Sequence, residues 1–440
     1  MKLLNRILLG TGCIALVLVS WYIAMHSKST EQLQLDLMAE AAALTEDGIY
    51  TLAAPLLEEA AGYSTIYTLA AESELKKVYL SLIDKRGYMR KYTDLLSKQM
   101  SRKDAKPEIY AEAALHYLGI ANMTEALNTL KEGISKTGSE DLIALYESSR
   151  YAFETGRDVY DDVMEILDSY AQVCIDGLWG FARSDGVLMI PCEYECVSTF
   201  CGDRAIVKIG DEIIAIDKDN NRVAKLHQSA TAFGNYSTDR IPLLFDDGWH
   251  RATGEFTVGN SAFEYIGMYS GGYAAAKIDG KWGVIGMSQE WLIPAKYDGI
   301  IQDELGRCYG QGAVFVQEGD HVCLFVNGRP KEEVYENAHP FMREGYAAVM
   351  QDGRWGFIDT NGTKVIECLY DDALSFGGHL AAVRVDGLWG YISTYAVIVI
   401  DPVYVEAKSF SNGSAPVLTG RGWQFITLIE YKAQDAGLLS

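Results

Sequence analysis

The sequence predicts a multidomain chain of the α plus all-β class. In order, it expects an N-terminal transmembrane helix, an α-helical repeat region and a C-terminal β-repeat domain of about seven units. A propeller-like ring is the preferred geometry for the β-repeats, and an open β-solenoid is the alternative. Three observations carry this. Residues 7–25 are 19 positions without a charge; from Glu31 to about Gln172 apolar residues return with helical period; and from Asp176 onward a tryptophan phrase recurs about every 34 residues. The phrase is plainest in "DGRWGFIDTNGTKVIECLYDDALSF", from Asp352, followed by "DGLWGYISTYAVIVIDPVYVEAKSF", from Asp386. The expected boundaries are a signal anchor at 1–30, helices at 31–173, β-repeats at 174–431 and a tail at 432–440.

Length and charge bound the possibilities. A chain of 440 residues exceeds one hydrophobic core and divides into domains. A net charge of −22 excludes a general nucleic-acid partner, because phosphate neutralisation needs clustered Lys and Arg.

At ~1.5 Å per residue, the 7–25 run is long enough to cross the ~30 Å hydrocarbon layer as a helix. Its length and the lack of a small-x-small cleavage site in "SWYIAMHSKS" favour an anchor over a cleaved signal peptide. Lys2 and Arg6 precede it and Lys28 alone follows. The bias predicts the amino terminus inside and a single-pass protein of the cell membrane with its bulk extracytoplasmic.

In the helical region, turn signals at Asp47-Gly48, Arg86-Gly87, Ala121-Asn122 and Thr155-Gly156 divide about eight helices into pairs of one recurring size. Residues 111–147 place small side chains where paired helices approach (Ala114, Gly119, Ala126), and a further helix starts after Gly138-Ser139. This stretch resembles a tetratricopeptide repeat, which implies stacked helix pairs and a concave groove of the kind that commonly holds a peptide.

The β-repeats have an internal grammar. Trp179, Trp249, Trp282, Trp355, Trp389 and Trp423 share one register, which puts Ile213 and His321 in the two gaps. A tyrosine follows 15 residues later in four units (Tyr194, Tyr297, Tyr370, Tyr404), each four residues after an isoleucine (Ile190, Ile293, Ile366, Ile400). Pro191, Pro294 and Pro402 lie between, and Phe200, Phe376 and Phe410 come six residues after the tyrosine. Asp-Gly before the tryptophan marks a hairpin turn, the alternation in "WGFID" a half-buried strand, and proline a strand edge. Glycine after tryptophan leaves room for a close neighbour. Three or four short strands per unit follow, with the tryptophan as core anchor rather than a sugar-stacking ladder. The segment 421–431 keeps the register, so it belongs to the β-domain and joins its two ends in a closed ring.

These units resemble the WG beta-repeat, also called the KWG repeat, of many bacterial proteins. The signature stands at Asp279-Gly280-Lys281-Trp282-Gly283 and again from Asp352 to Asp359. The resemblance implies a repeat scaffold with no shared catalytic residues. The expected function is a membrane-anchored scaffold or binding protein of the bacterial cell envelope, with a protein or peptide partner favoured and a glycan as second candidate. No catalytic, cofactor-binding or metal-binding residues are assigned: the chain has no G-x-S-x-G, P-loop, G-x-G-x-x-G or H-E-x-x-H. Its histidines lack metal-ligand spacing, and Cys192, Cys196 and Cys201 read as structural thiols. The alternative is an envelope hydrolase using acids such as Asp246-Asp247 or Asp371-Asp372 on the face of the β-domain. A site should interrupt the repeat, which directs attention to "DGIIQDELGRCYGQGAVFVQ", 298–317, where one unit is longest.

Overall fold

In a computed structural model, residues 29–226 and 229–431 are described. The 7–25 run and the 432–440 tail lie outside them. Among the described residues no helix is long and apolar enough to cross a membrane. The chain divides into two units, 1–139 and 140–440.

Among its described residues the first unit contains six helices, Thr30–Glu46, Tyr50–Ala60, Thr68–Ser81, Tyr88–Met100, Pro107–Gly119 and Met123–Thr137. Their starts follow local chemistry. Ser29 Oγ accepts a hydrogen bond from Gln32 N at 3.1 Å, Asn122 Oδ1 accepts one from Glu125 N, and Pro107 stands in a first turn where its missing N–H costs nothing. Alanine makes the interior: Ala53, Ala54, Ala71, Ala113, Ala114 and Ala126 are fully buried, so adjacent backbones pack closely. The last two helices form a hairpin over the stretch with tetratricopeptide resemblance. A seventh helix, Glu140–Ser149, opens the second unit, against the eight helices expected.

The helical region ends earlier than the expected boundary of 173. Strand β1 (Tyr151–Thr155) follows at once, and further strands occupy 162–163 and 170–175. "YAFET" has no partner nearby in sequence. It becomes a strand because it pairs with residues Ile426 to Glu430 at the far end of the chain.

The second unit is a ring of eight four-stranded antiparallel sheets, an eight-bladed β-propeller. Blades 1 to 7 are contiguous, at 162–194, 196–225, 232–263, 265–297, 299–335, 337–370 and 372–404. Blade 8 takes three strands from the end of the chain, β30 (Glu406–Ala407), β31 (Ser414–Thr419) and β32 (Gly422–Glu430), and its outer strand from β1. The ring is therefore closed by strand pairing, the device that removes exposed edges. The expected count of seven units is corrected to eight. Eight anchor positions bound only seven intervals, and the outer strand of the eighth blade lies before the first anchor.

Blade 7 shows how the phrase folds. Strand β28 (Leu388–Ser393) sits between β27 (Leu380–Val385) and β29 (Ile398–Tyr404), with Trp389 opposite Arg384 on one side and Tyr404 on the other. The outer strand bulges over the glycine after the tryptophan. A Cβ on Gly390 would lie 2.5 Å from the Ile400 carbonyl oxygen, and one on Gly356 would lie 2.7 Å from that of Ile366. The Trp-Gly step is thus a steric requirement of the bulge. Trp389, Tyr391, Ile400, Tyr404 and Phe410 form one core with residues of blade 8. Trp355, Trp389 and Trp423 are buried, while Trp179, Trp249 and Trp282 are half-buried.

Two departures from the repeat take definite form. Val322 stands opposite Tyr335 as Trp355 stands opposite Tyr370, so Val322 holds the tryptophan place and His321 is the exposed residue before it, one position away from the expected register. In blade 3, His250 replaces the glycine. It is buried and bonded through Nδ1 to Gly259 O and through Nε2 to Asp247 Oδ1, each at 2.9 Å.

Trp355→Ala and Trp389→Ala should each lower unfolding free energy by ~3–5 kcal/mol in denaturant titrations. Gly390→Ala, which adds a single methyl under the bulge, should cost about 1–3 kcal/mol. Truncation after Thr419 removes the partner of β1 and the reciprocal bonds between Trp423 and Tyr160. Hydrogen exchange should then lose protection in blade 8 and blade 1 together, whereas an effect confined to blade 8 would contradict closure.

Candidate functional site

Between its first and second strands each blade has a short segment that carries an apolar anchor, aromatic in blades 2 to 8, and a tight turn. Both central residues of most of these turns have positive φ, as in Gly271-Gly272 (56° and 87°) and Asn412-Gly413 (51° and 77°). The segments are bonded from blade to blade. Thr199 Oγ1 donates to Tyr236 O at 2.7 Å, and Ser237 and Ser270 hydroxyls donate to the carbonyls of Tyr269 and Tyr309. Residues from all eight blades line a cup of about 620 Å³ at this end of the ring.

Blade 5 supplies the floor. Eight residues separate Ile300 from Tyr309, where two separate Ile266 from Tyr269 in blade 4. The surplus closes on itself: Asp303 Oδ1 accepts from Leu305 N at 3.0 Å and Arg307 N at 2.9 Å, and Gly306 O accepts from Met268 N of blade 4 at 2.9 Å. From there it reaches across the ring. Arg307 Nε donates to Asp303 Oδ2 and Arg307 Nη2 to Glu165 Oε2 of blade 1, both at 2.5 Å. Glu165 N donates to Glu304 Oε1 at 2.5 Å, Lys408 of blade 8 donates to Glu304 Oε2, and Asn235 Nδ2 of blade 3 donates to Leu305 O at 2.9 Å. Lys408 also lies 5.3 Å above the Trp423 ring. In an eight-bladed ring, blades 1 and 5 face each other across the axis.

The cluster holds three carboxylates, Glu165, Asp303 and Glu304, against two cations, Arg307 and Lys408. One negative charge is in excess, and Glu165, Asp303 and Arg307 are nearly closed to water. Burial pushes the Glu165 carboxyl up from 4.5 to about 7; Asp303 and Glu304 add to the shift, and Arg307 and Lys408 oppose it. Burial works against the Arg307 charge, but Asp303 and Glu165 outweigh it and hold its pKa above the usual value. Burial also lowers His339 of blade 6, whose ring lies 5.0 Å from that of Trp355.

The acid pairs named from sequence lie elsewhere, and three of their four carboxylates are engaged with a nearby basic side chain. Asp247 bonds His250, Asp371 pairs with Arg354, and Asp372 Oδ2 lies 3.4 Å from Arg384. Cys192, Cys196 and Cys201 are free thiols; burial raises Cys192 to about 11, and Cys201 borders the cup. Among the described residues no three His, Cys, Asp or Glu side chains are placed to hold a metal ion. The 298–317 segment flagged by its length does contain the floor. Glu165, Asn235 and Lys408 were not legible as its partners, since they carry no motif and Glu165 lay in the stretch read as helical.

The family model described as WG containing repeat matches residues 179–212, 262–282, 334–355, 355–389 and 389–423. The chain carries WG repeats in its C-terminal region, 179–423. The matched segments leave out most of blades 3 and 5, the units with Trp249-His250 and the long insertion, so the WG repeat is least regular in the blade that builds the floor and in one that contacts it. No curated protein sequence matches the chain. Similar solved structures include "KlHsv2 with loop 6CD replaced by a Gly-Ser linker", 8% identical over 63% of this chain and 99% of that one, with a TM-score of 0.36. AztD of Citrobacter koseri is 10% identical over 64% and 99%, with a TM-score of 0.35. The Pan2 WD40 domain of Neurospora crassa is 10% identical over 63% and 90%, with a TM-score of 0.30. At such scores these likenesses add nothing to what the strand pairing shows.

The raised Glu165 carboxyl gives a signed expectation for stability. The folded state binds this proton more tightly than the unfolded chain, so the contribution is fully present below about pH 4.5 and is lost as pH rises through about 7. Denaturant midpoints should fall between pH 5 and 8, and Glu165→Gln should flatten that part of the profile.

Proposed function

We propose that this protein is a membrane-anchored binding module of the cell envelope, and that its propeller takes a protein or peptide partner at the cup. The convergence of all eight blades on one blind cup carries the reading. Its volume of about 620 Å³ falls within the roughly 300–1,000 Å³ range of small-ligand and side-chain pockets. Burial of Trp355, Trp389 and Trp423 in blade cores argues against a tryptophan ladder for sugars, which favours a protein partner over a glycan. The role is binding rather than hydrolysis: Asp247, Asp371 and Asp372 are engaged locally, and neither acid pair lines the cup. For anchoring, the support is the uncharged 7–25 run with Lys2 and Arg6 before it.

A photo-crosslinking amino acid at Arg343 or Asn412, on the cup rim, should capture a discrete partner in cells. The same probe at Leu369, which is 70% exposed on an outer strand, should not. Equal capture from both places, or none from the rim, refutes the cup as the binding surface. For topology, protease added to intact cells should digest the propeller; protection until lysis reverses the orientation.

A further inference from the structure

The cup floor has a specific chemistry. The Arg307 side chain is only 13% exposed, and its guanidinium is held on two edges. Nε donates to Asp303 Oδ2, and Nη2 donates to Glu165 Oε2 and contacts Met342 Sδ at 3.7 Å. Nη1 makes no hydrogen bond to any described residue, and Arg307 borders the cup. A guanidinium fixed in orientation, with Nη1 as its one unengaged nitrogen, offers a charge-assisted donor to a carboxylate oxygen. The acids beside it are already committed. Asp303 accepts bonds on both oxygens, Glu304 accepts from Glu165 N and Lys408, and Glu165 accepts from Arg307. A guest cation would find little free acceptor there. Above the floor small polar turn residues alternate with the part-exposed apolar side chains of Leu167, Tyr309 and Met342. At the rim Arg343 is 82% exposed and has one loose partner, Asp168 at 3.5 Å.

Resting on the reading of the cup as the binding surface, we infer that it is a carboxylate receptor, in which Arg307 Nη1 holds the acid end of a guest whose apolar part lies against Leu167, Tyr309 and Met342. The volume suits one or two residues, so a peptide C-terminus or an acidic side chain next to an apolar one supplies the chemistry. A guest carboxylate would be the fourth acid beside Arg307 and Lys408. Glu165, which faces Asp303, Glu304 and Arg307 of blade 5 and Lys408 of blade 8, relieves this by taking up a proton. Added negative charge raises its affinity for that proton, so binding is accompanied by proton uptake and weakens as pH rises above about 7.

The test is isothermal titration of the full-length protein in detergent with three probes: acetyl-Leu-Phe as free acid, the same dipeptide as C-terminal amide, and acetyl-Leu-Glu-Phe amide. An acid should bind at least about tenfold tighter than the simple amide, as expected when a charge-assisted bond to Arg is lost. Preference for the first probe identifies a C-terminus as the guest, and preference for the third identifies an acidic side chain. Arg307→Lys keeps a cation beside Asp303 and Glu165, so it should melt like the parent yet lose the tenfold preference. Titrations in two buffers of different ionisation enthalpy should show net proton uptake with the acid at pH 7. Equal binding of acids and amide, full preference in Arg307→Lys, or no binding of any probe at millimolar concentration overturns the inference. If rim crosslinks persist in that case, only the carboxylate specificity falls; if they are absent too, the cup itself is not the binding surface.

Discussion

Pairing of β1 with β32 is the contact on which the rest of the propeller depends. Eight blades in an open row would expose an edge at each end and enclose nothing. Five residues that precede the first blade supply the missing outer strand of the last, and the ends are held further by reciprocal bonds between Tyr160 and Trp423. Closure converts a sum of neighbour contacts into a ring in which each blade is buried on both faces. It also brings blades 1 and 8 close enough for Glu165 and Lys408 to meet the same loop from blade 5.

Within each blade, the repeated phrase solves one packing problem. Four strands twist enough to curl the outermost strand over its neighbour, and glycine after tryptophan is where that strand comes down. The tryptophan fills the space on one side of the bulge and the tyrosine, 15 residues later, sits opposite it. Blade 3 manages without the glycine because its outer strand pairs directly with His250 through Ala262, and the imidazole finds two partners. Regularity is therefore relaxed where a local substitute satisfies the same geometry.

The same economy of form explains the site. A regular propeller leaves its axis lined by eight near-identical turns, and no chemistry distinguishes one from another. Six extra residues in one blade break that equivalence, reach across the axis and turn an open channel end into a floored cup with a charged base. The base is tight: five charged groups linked in one chain of contacts, one negative charge in excess, with Glu165, Asp303 and Arg307 nearly closed to water. Such clusters are poised to respond to a proton or an added anion, since neither can enter without the other groups adjusting.

Local features were legible in sequence because their causes lie within about one repeat. Asp-Gly turns, the Trp-Gly bulge, alanine-lined helix pairs and the oversized blade 5 all follow from interactions between residues near in the chain, and the propeller preference followed from their recurrence. The register of His321 slipped by one because valine replaces tryptophan at 322, and a lone aliphatic gives no marker. What only the tertiary structure decided were the contacts of long separation: "YAFET" as a strand and not a helix, eight blades and not seven, and Glu165 beside Arg307. None of these residues has a preference strong enough to name its partner, and the choice is made by closure of the ring, which places the start and the end of the domain side by side and opposite blades face to face.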